Sequence, residues 1–133
     1  MIKIVIPGTP IPQSRPRFTR QGHAYESQRS RDYKKVVAIA AEAVMGAREP
    51  LRGALWCNVI FYMPIPKSTS QKRRKELTGA FVTKKTGDID NLLKAVTDAM
   101  IGIVYVDDCQ IVRIIAEKKY DENPRAEILI DEV

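Results

Sequence analysis

Tyr33, Val36, Val37, Ala40, Ala41, Val44 and Met45 recur at i, i+3, i+4, i+7, i+8, i+11 and i+12, a spacing that only a helix gathers onto one face. The stripe is small and aliphatic, so it packs flat, and the partner it calls for is a sheet. Strand material lies on both sides of it. Residues 2–6, Ile-Lys-Ile-Val-Ile, and residues 55–63, Leu-Trp-Cys-Asn-Val-Ile-Phe-Tyr-Met, have strand composition, and each run stops at a proline, Pro7 and Pro64. The helix is expected over about 30–47, with Gly46 near its C-terminus. We treat its stripe as core.

Further on, residues 110–119 and 126–130 read as two more strands, joined by a turn at Asp121-Glu122-Asn123-Pro124, and they are expected to form an antiparallel pair. Ser68, Thr69 or Ser70 is placed to cap a short basic helix ending near Leu77. A further helix is expected from about Asn91 to near Gly102, with Leu92, Leu93, Val96, Ala99 and Met100 as its apolar stripe. The order is β-α-β-α-α-β-β. It describes a single α/β (α+β) domain over residues 1–133, with a mixed sheet and helices mainly on one face. At 133 residues a core forms without metal or disulfide staples. No internal repeat, targeting segment or membrane segment is visible, and nothing calls for an organic cofactor. Cys57 and Cys109 are too far apart in kind and place to suggest a zinc site or a disulfide framework, so a reduced, cytoplasmic chain is expected.

Charge is unevenly spread. The chain carries a net +6, yet its last 48 residues hold eleven acidic and five basic side chains. Residues 1–35 hold eight Lys/Arg against two acids, and residues 67–85 hold seven against one. Basic arms around an acidic focus suit a polyanion whose bound cation neutralises the centre, although a charge run is as often plain solvated surface. In the Pro-, Gly- and Arg-rich stretch from Gly8 to about Ser27, Arg15, Arg17 and Arg20 interleave with Phe18, His23 and Tyr25. That mixture suits phosphates and unstacked bases, and a mobile loop without specific contacts is the bland alternative. Lys72, Arg73, Arg74, Lys84 and Lys85 form the second basic group.

The acidic focus is Thr86-Gly87-Asp88-Ile89-Asp90-Asn91-Leu92-Leu93-Lys94, followed later by Val106-Asp107-Asp108. Read as an extended segment, Asp88 and Asp90 direct their carboxylates to one side, with Asp90 or Asn91 capping the helix that follows. Lys94 lies four residues after Asp90 and so shares its helix face. Carboxylates, helix start and ammonium are then expected to converge on one point. An EF-hand fails because Leu92 and Leu93 stand where an oxygen ligand and a glycine belong. An N-cap with an exposed salt bridge leaves Asp107-Asp108 unexplained. Hard oxygen ligands without His or Cys favour Mg²⁺ or Mn²⁺, one ion or two, and the reaction class that follows is metal-assisted phosphodiester hydrolysis, with Lys94 stabilising charge on the phosphorus oxygens.

Gly87-Asp88-Ile89-Asp90-Asn91-Leu92-Leu93-Lys94, Asp98-Ala99, the run from Gly102 through Asp107-Asp108-Cys109-Gln110-Ile111, and Glu117-Lys118-Lys119-Tyr120 together resemble the RusA family of Holliday junction resolvases. Arg15-Pro16-Arg17-Phe18 and Gly22-His23-Ala24-Tyr25 match a common variant of that family, so the likeness covers nearly the whole chain. The resemblance implies an often prophage-encoded homodimer that cuts four-way DNA junctions by paired nicks with Mg²⁺ or Mn²⁺ in recombination and repair. It assigns Asp88, Asp90 and Asp108 as metal-binding acids and Lys94 as the essential lysine, with Asp107 and Asn91 as possible additions. Spacing leaves Asp107 and Asp108 equivalent, and the resemblance selects Asp108. Thr86-Gly87 stands where many relatives have Lys-Pro, which bears on the rigidity of the approach. Two other readings are a non-catalytic nucleic-acid-binding module and a metal-dependent nuclease acting on flaps, forks or RNA.

Overall fold

The computed structural model describes residues 1–133 as one α+β domain. Strand β1 (Ile2–Pro7) is followed by a small hairpin of β2 (Arg17–Phe18) and β3 (Ala24–Tyr25), then helix α1 (Gln28–Met45) and strand β4 (Leu55–Pro64). Helices α2 (Gln71–Leu77) and α3 (Ile89–Ala99), a 3₁₀ turn (Asp108–Gln110), and strands β5 (Ile111–Asp121) and β6 (Arg125–Glu132) complete the chain. The expected order holds, with the hairpin added inside the Arg-rich stretch.

The four long strands form one mixed sheet in the order β1-β6-β4-β5. Ile2, Ile4 and Ile6, Leu55 through Met63 at alternate positions, and Ala126, Ile128 and Ile130 are buried on one face. Period-two alternation places them there. On this face lie α1, through Tyr33, Val37, Ala41 and Met45, and α3, through Leu92, Ala95 and Val96. Each buried aliphatic side chain contributes about 1.5–3 kcal/mol relative to exposure, so this one layer of contacts dominates stability. Helix α2 has no fully buried residue and touches the core only through the half-buried Leu77.

Helix starts follow the caps. Ser27 Oγ accepts the Ser30 N–H at 3.2 Å, which begins α1 earlier than its apolar stripe alone indicates. Of the three candidate caps for the basic helix, Ser70 serves, accepting from Arg73 N–H at 3.2 Å. Gly46 closes α1 with φ 55°, a conformation glycine adopts without a Cβ penalty.

One expected pairing is absent. β5 and β6 are not neighbours: β4 runs between them, parallel to β5 and antiparallel to β6. The turn is long enough to bridge two strand spacings of about 4.8 Å each, because four peptide steps reach roughly 13 Å. It passes over the end of β4, where Pro64 is level with Asp121. Arg125 fastens this crossover. Its guanidinium donates to Asp121 Oδ2 and to Asn123 O, both at 2.8 Å, and stacks 3.9 Å from the Tyr62 ring centroid on β4.

Candidate active site

Asp88 is the N-cap of α3, with an extended backbone (φ −70°, ψ 144°) and no side-chain capping bond, so its carboxylate is uncommitted. Asp90 is already inside the first helical turn. The two acids are therefore cap and helix residue, not a pair along one extended segment, and neither Asp90 nor Asn91 is the cap. Helix formation simply begins at Ile89, whose half-buried side chain packs on the core.

This shift splits the expected point of convergence in two. Asp88 and Asp90 line a cleft of about 470 Å³ with Phe81, Val82 and the β5 residues Ala116, Glu117 and Lys118. Asp90 also lines a second cleft, of about 350 Å³, with Lys94, Asp98, Asp108, Ile111 and Ile114. Asp90 is the shared wall. The first cleft lies where the start of α3 faces strand β5, and the second runs along α3 from Asp90 to Asp98.

The approach to α3 is held from two sides. Gly87 adopts φ +112°, and a Cβ there would meet Pro12 at 3.1 Å. The Gly87 carbonyl accepts from Lys118 Nζ at 3.1 Å, and Gln13 N–H donates to Asn91 O at 2.9 Å. The segment that leads into α3 is therefore braced with glycine at position 87. Asn91 meets the Arg-rich stretch through its carbonyl.

A chain of ion pairs runs from Glu26 into the second cleft. Lys34 Nζ lies 2.6 Å from Glu26 and 3.7 Å from Asp98, and Lys94 Nζ lies 3.3 Å from Asp98. Lys34, with Gln13, holds the Glu26 carboxyl below the usual carboxylate range. Asp98 thus faces two ammonium groups. It follows Lys94 by four residues, a spacing that was open to reading from the sequence.

Asp107 and Asp108 have different jobs. Asp107 caps the 3₁₀ turn, accepting from Cys109 N–H at 3.5 Å, whereas Asp108 lines the second cleft. Gln110 fixes the turn: its Oε1 accepts from Val106 and Asp107 N–H, both at 2.9 Å, and its Nε2 donates to Leu51 O and Gly53 O. The Tyr105 hydroxyl donates to Thr97 O, tying this segment to α3. Through the hydrogen bond they share, Asp107 is pushed down and Asp108 up; partial burial and the charges of Asp107 and Asp98 raise Asp108 further, against the pull of Lys94. Negative charge is crowded there.

That crowding and the all-oxygen donors suit a hard divalent cation in kind. In number they fall short of a ready cage, since no three His, Cys, Asp or Glu side chains stand close enough to hold an ion. Asp90 with Asp88, and Asp90 with Asp108, are the pairs the clefts present.

The basic residues surround this region unevenly. Arg15, Arg17 and Arg20 are exposed on and beside the hairpin, as are Phe18, His23 and Tyr25. Lys72, Arg73, Lys84 and Lys85 are exposed as well. Arg74 is engaged inside the fold, donating to Pro66 O at 3.0 Å and pairing with Glu122 at 3.1 Å. Lys118, which the sequence offered only as part of the resemblance and without a role, and Phe81, which it did not single out, line the first cleft with Asp88 and Asp90. Both cysteines are free, and no helix is long and apolar enough to cross a membrane.

The fold is thus a basic α+β domain in which α3 carries carboxylates and a lysine against strand β5. The chain belongs to the RusA endodeoxyribonuclease family: the model of that family, Endodeoxyribonuclease RusA, matches residues 7–131. It is also 36% identical, over 138 aligned positions, to Uncharacterized protein YqaN of Bacillus subtilis (strain 168), across 99% of this chain and 96% of the relative. Membership implies a resolvase-type endonuclease.

Proposed function

We propose that this protein is a structure-selective endodeoxyribonuclease that resolves four-way DNA junctions by paired nicks, with Asp88, Asp90, Asp108 and Lys94 as its working residues. The observation that carries the reading is Asp90 as the wall common to two clefts, one with Asp88 and one with Lys94 and Asp108. Asp90, paired with Asp88 on one side or with Asp108 on the other, would hold Mg²⁺, or Mn²⁺ in its place. When bound, the cation supplies Lewis acidity toward the phosphodiester and offsets the crowded carboxylates.

The remaining work falls to the chain's own side chains. Lys94, 60% exposed, is open to an incoming phosphate, and its ammonium stabilises charge gathering on the phosphorus oxygens. Asp98 keeps that ammonium pointed along the helix face. Asp107 and Gln110 fix the turn from which Asp108 enters the cleft. The exposed Arg15, Arg17, Arg20, Lys72, Arg73, Lys84 and Lys85 draw in the DNA backbone, which makes affinity steeply salt-dependent. Arg74 contributes to the basic field while bracing α2. Two symmetric cuts need two copies of the site at a fixed separation, which a homodimer supplies.

Competition among labelled four-way, forked, flapped, duplex and RNA substrates, with Mg²⁺ or chelator, tests the reading. Preferred cutting of the four-way junction, lost with chelator, is the expected result. Equal cutting of all branched substrates would replace it with a general flap or fork nuclease, and binding without any cutting would leave a non-catalytic module.

A further inference from the structure

Three aromatic side chains stand out in solvent, Phe18, Tyr25 and Phe81, and of these Phe81 alone lines a cleft that holds the carboxylates. A single exposed apolar residue is ordinary. What sets Phe81 apart is how it is held. Residues 79–82 lie along the edge strand β5: Gly79 N–H donates to Tyr120 O at 2.8 Å, Tyr120 N–H to Ala80 O at 2.9 Å and Val82 N–H to Lys118 O at 3.0 Å. Val82 is buried and Ala80 packs half-buried on the core, so alternation along the segment turns Phe81 outward, 65% exposed. The backbone is fixed on both sides of a ring that the core does not use.

Phe81 stands directly opposite Lys119 at a non-hydrogen-bonded position, where side chains across a ladder come closest. The Lys119 ammonium lies 5.6 Å from the ring centroid, within reach of a cation–π attraction, and 3.3 Å from Glu117 Oε2. Lys118 shares the first cleft with Phe81, Asp88 and Asp90, and Lys84 and Lys85 are exposed shortly after the ring in the chain. A flat apolar face is thus set among cations at the rim of the acidic cleft. A purely apolar ligand has no use for the cations, and a bare polyanion has none for the ring. A nucleotide uses both, through the face of its base and its phosphate.

We propose that Phe81 is a stacking platform for one unpaired nucleobase of the DNA, whose adjoining phosphate then enters the first cleft beside Asp88 and Asp90. The place of the phosphate rests on the nuclease reading; the stacking stands without it. A base inside a continuous duplex has both faces covered, so the platform favours DNA in which a base has already left its stack, as at a branch point. Every base has a π-face, so the platform reads that distortion and not the sequence.

The test uses the full chain in chelator, where no cutting intervenes, and two labelled probes of equal length and charge: an oligothymidylate of about eight nucleotides and its fully abasic counterpart. Fluorescence anisotropy should show wild type favouring the oligothymidylate by about 5-fold or more, the effect of one stacked base. Phe81→Ala should lower that preference by about 5-fold and leave affinity for the abasic chain unchanged, whereas Phe81→Trp should retain it. With Trp56→Phe also present, so that a single tryptophan remains, the emission of the Phe81→Trp protein should be quenched by the oligothymidylate and not by the abasic chain. A wild type that binds both probes alike, an undiminished preference in Phe81→Ala, equal weakening on both probes, or unquenched emission would overturn the proposal. A protein that meets these expectations yet cuts no branched DNA would overturn the nuclease reading and leave the platform standing.

Discussion

Asp98 Oδ2 lies 3.3 Å from Lys94 Nζ and 3.7 Å from Lys34 Nζ, so one carboxylate lining the second cleft holds the Lys94 ammonium beside it. Asp98→Asn removes that hold and keeps the helix. Junction cleavage should fall about 10-fold or more with little change in junction affinity, and Lys94→Ala should lose about 10²-fold. Single-turnover rates beside gel-shift titrations check both. Equal losses in rate and affinity would make Lys94 a binding residue.

Gly87 combines φ +112° with a Pro12 contact that would crowd a Cβ at 3.1 Å. Gly87→Ala should destabilise the fold by on the order of 1–3 kcal/mol, read from urea unfolding. It should also loosen the start of α3, so that cleavage falls more than the unfolded fraction accounts for.

Gln110 occupies both ends of its amide with four main-chain partners, Leu51, Gly53, Val106 and Asp107. Gln110→Ala strands several of them and should cost about 1–3 kcal/mol in the same unfolding measurement. Gln110→Glu should also fail, because a carboxylate cannot donate to the Leu51 and Gly53 carbonyls.

Glu26 gives the fold a pH-dependent contribution. Its carboxyl is held below the usual value of 4.5, chiefly by Lys34, so the charged form favours the folded state. The contribution is present above the unfolded value and is lost as pH falls through the folded one. The gap in melting temperature between wild type and Glu26→Gln should therefore be open at neutral pH and should narrow as pH falls below the ordinary carboxylate range.

What the sequence made legible was whatever neighbouring residues decide among themselves. The stripe from Tyr33 to Met45 and the alternation of Leu55 through Met63 produce α1 and β4 because period alone selects the buried face. The partnering of β5 and β6 was not legible. Their turn is equally suited to a hairpin and to a step over β4, and the choice depends on the two edges of that strand, far earlier in the chain. Asp88 was misplaced for a smaller reason, since Ile89 packs on the core and draws the helix start back by two residues. The acids and Lys94 stood out as a motif, whereas Lys118 and Phe81 reach the first cleft only through the pairing of β5 with residues 79–82.

Asp90 is the residue on which the clefts converge, and its neutral isostere tests the account most directly. Wild type and Asp90→Asn are compared on an end-labelled four-way junction in Mg²⁺, with affinity read from gel shifts and cutting from denaturing gels. The account predicts paired nicks from wild type, and unchanged binding without nicks from the variant. An Asp90→Asn protein that cuts at the wild-type rate would contradict it.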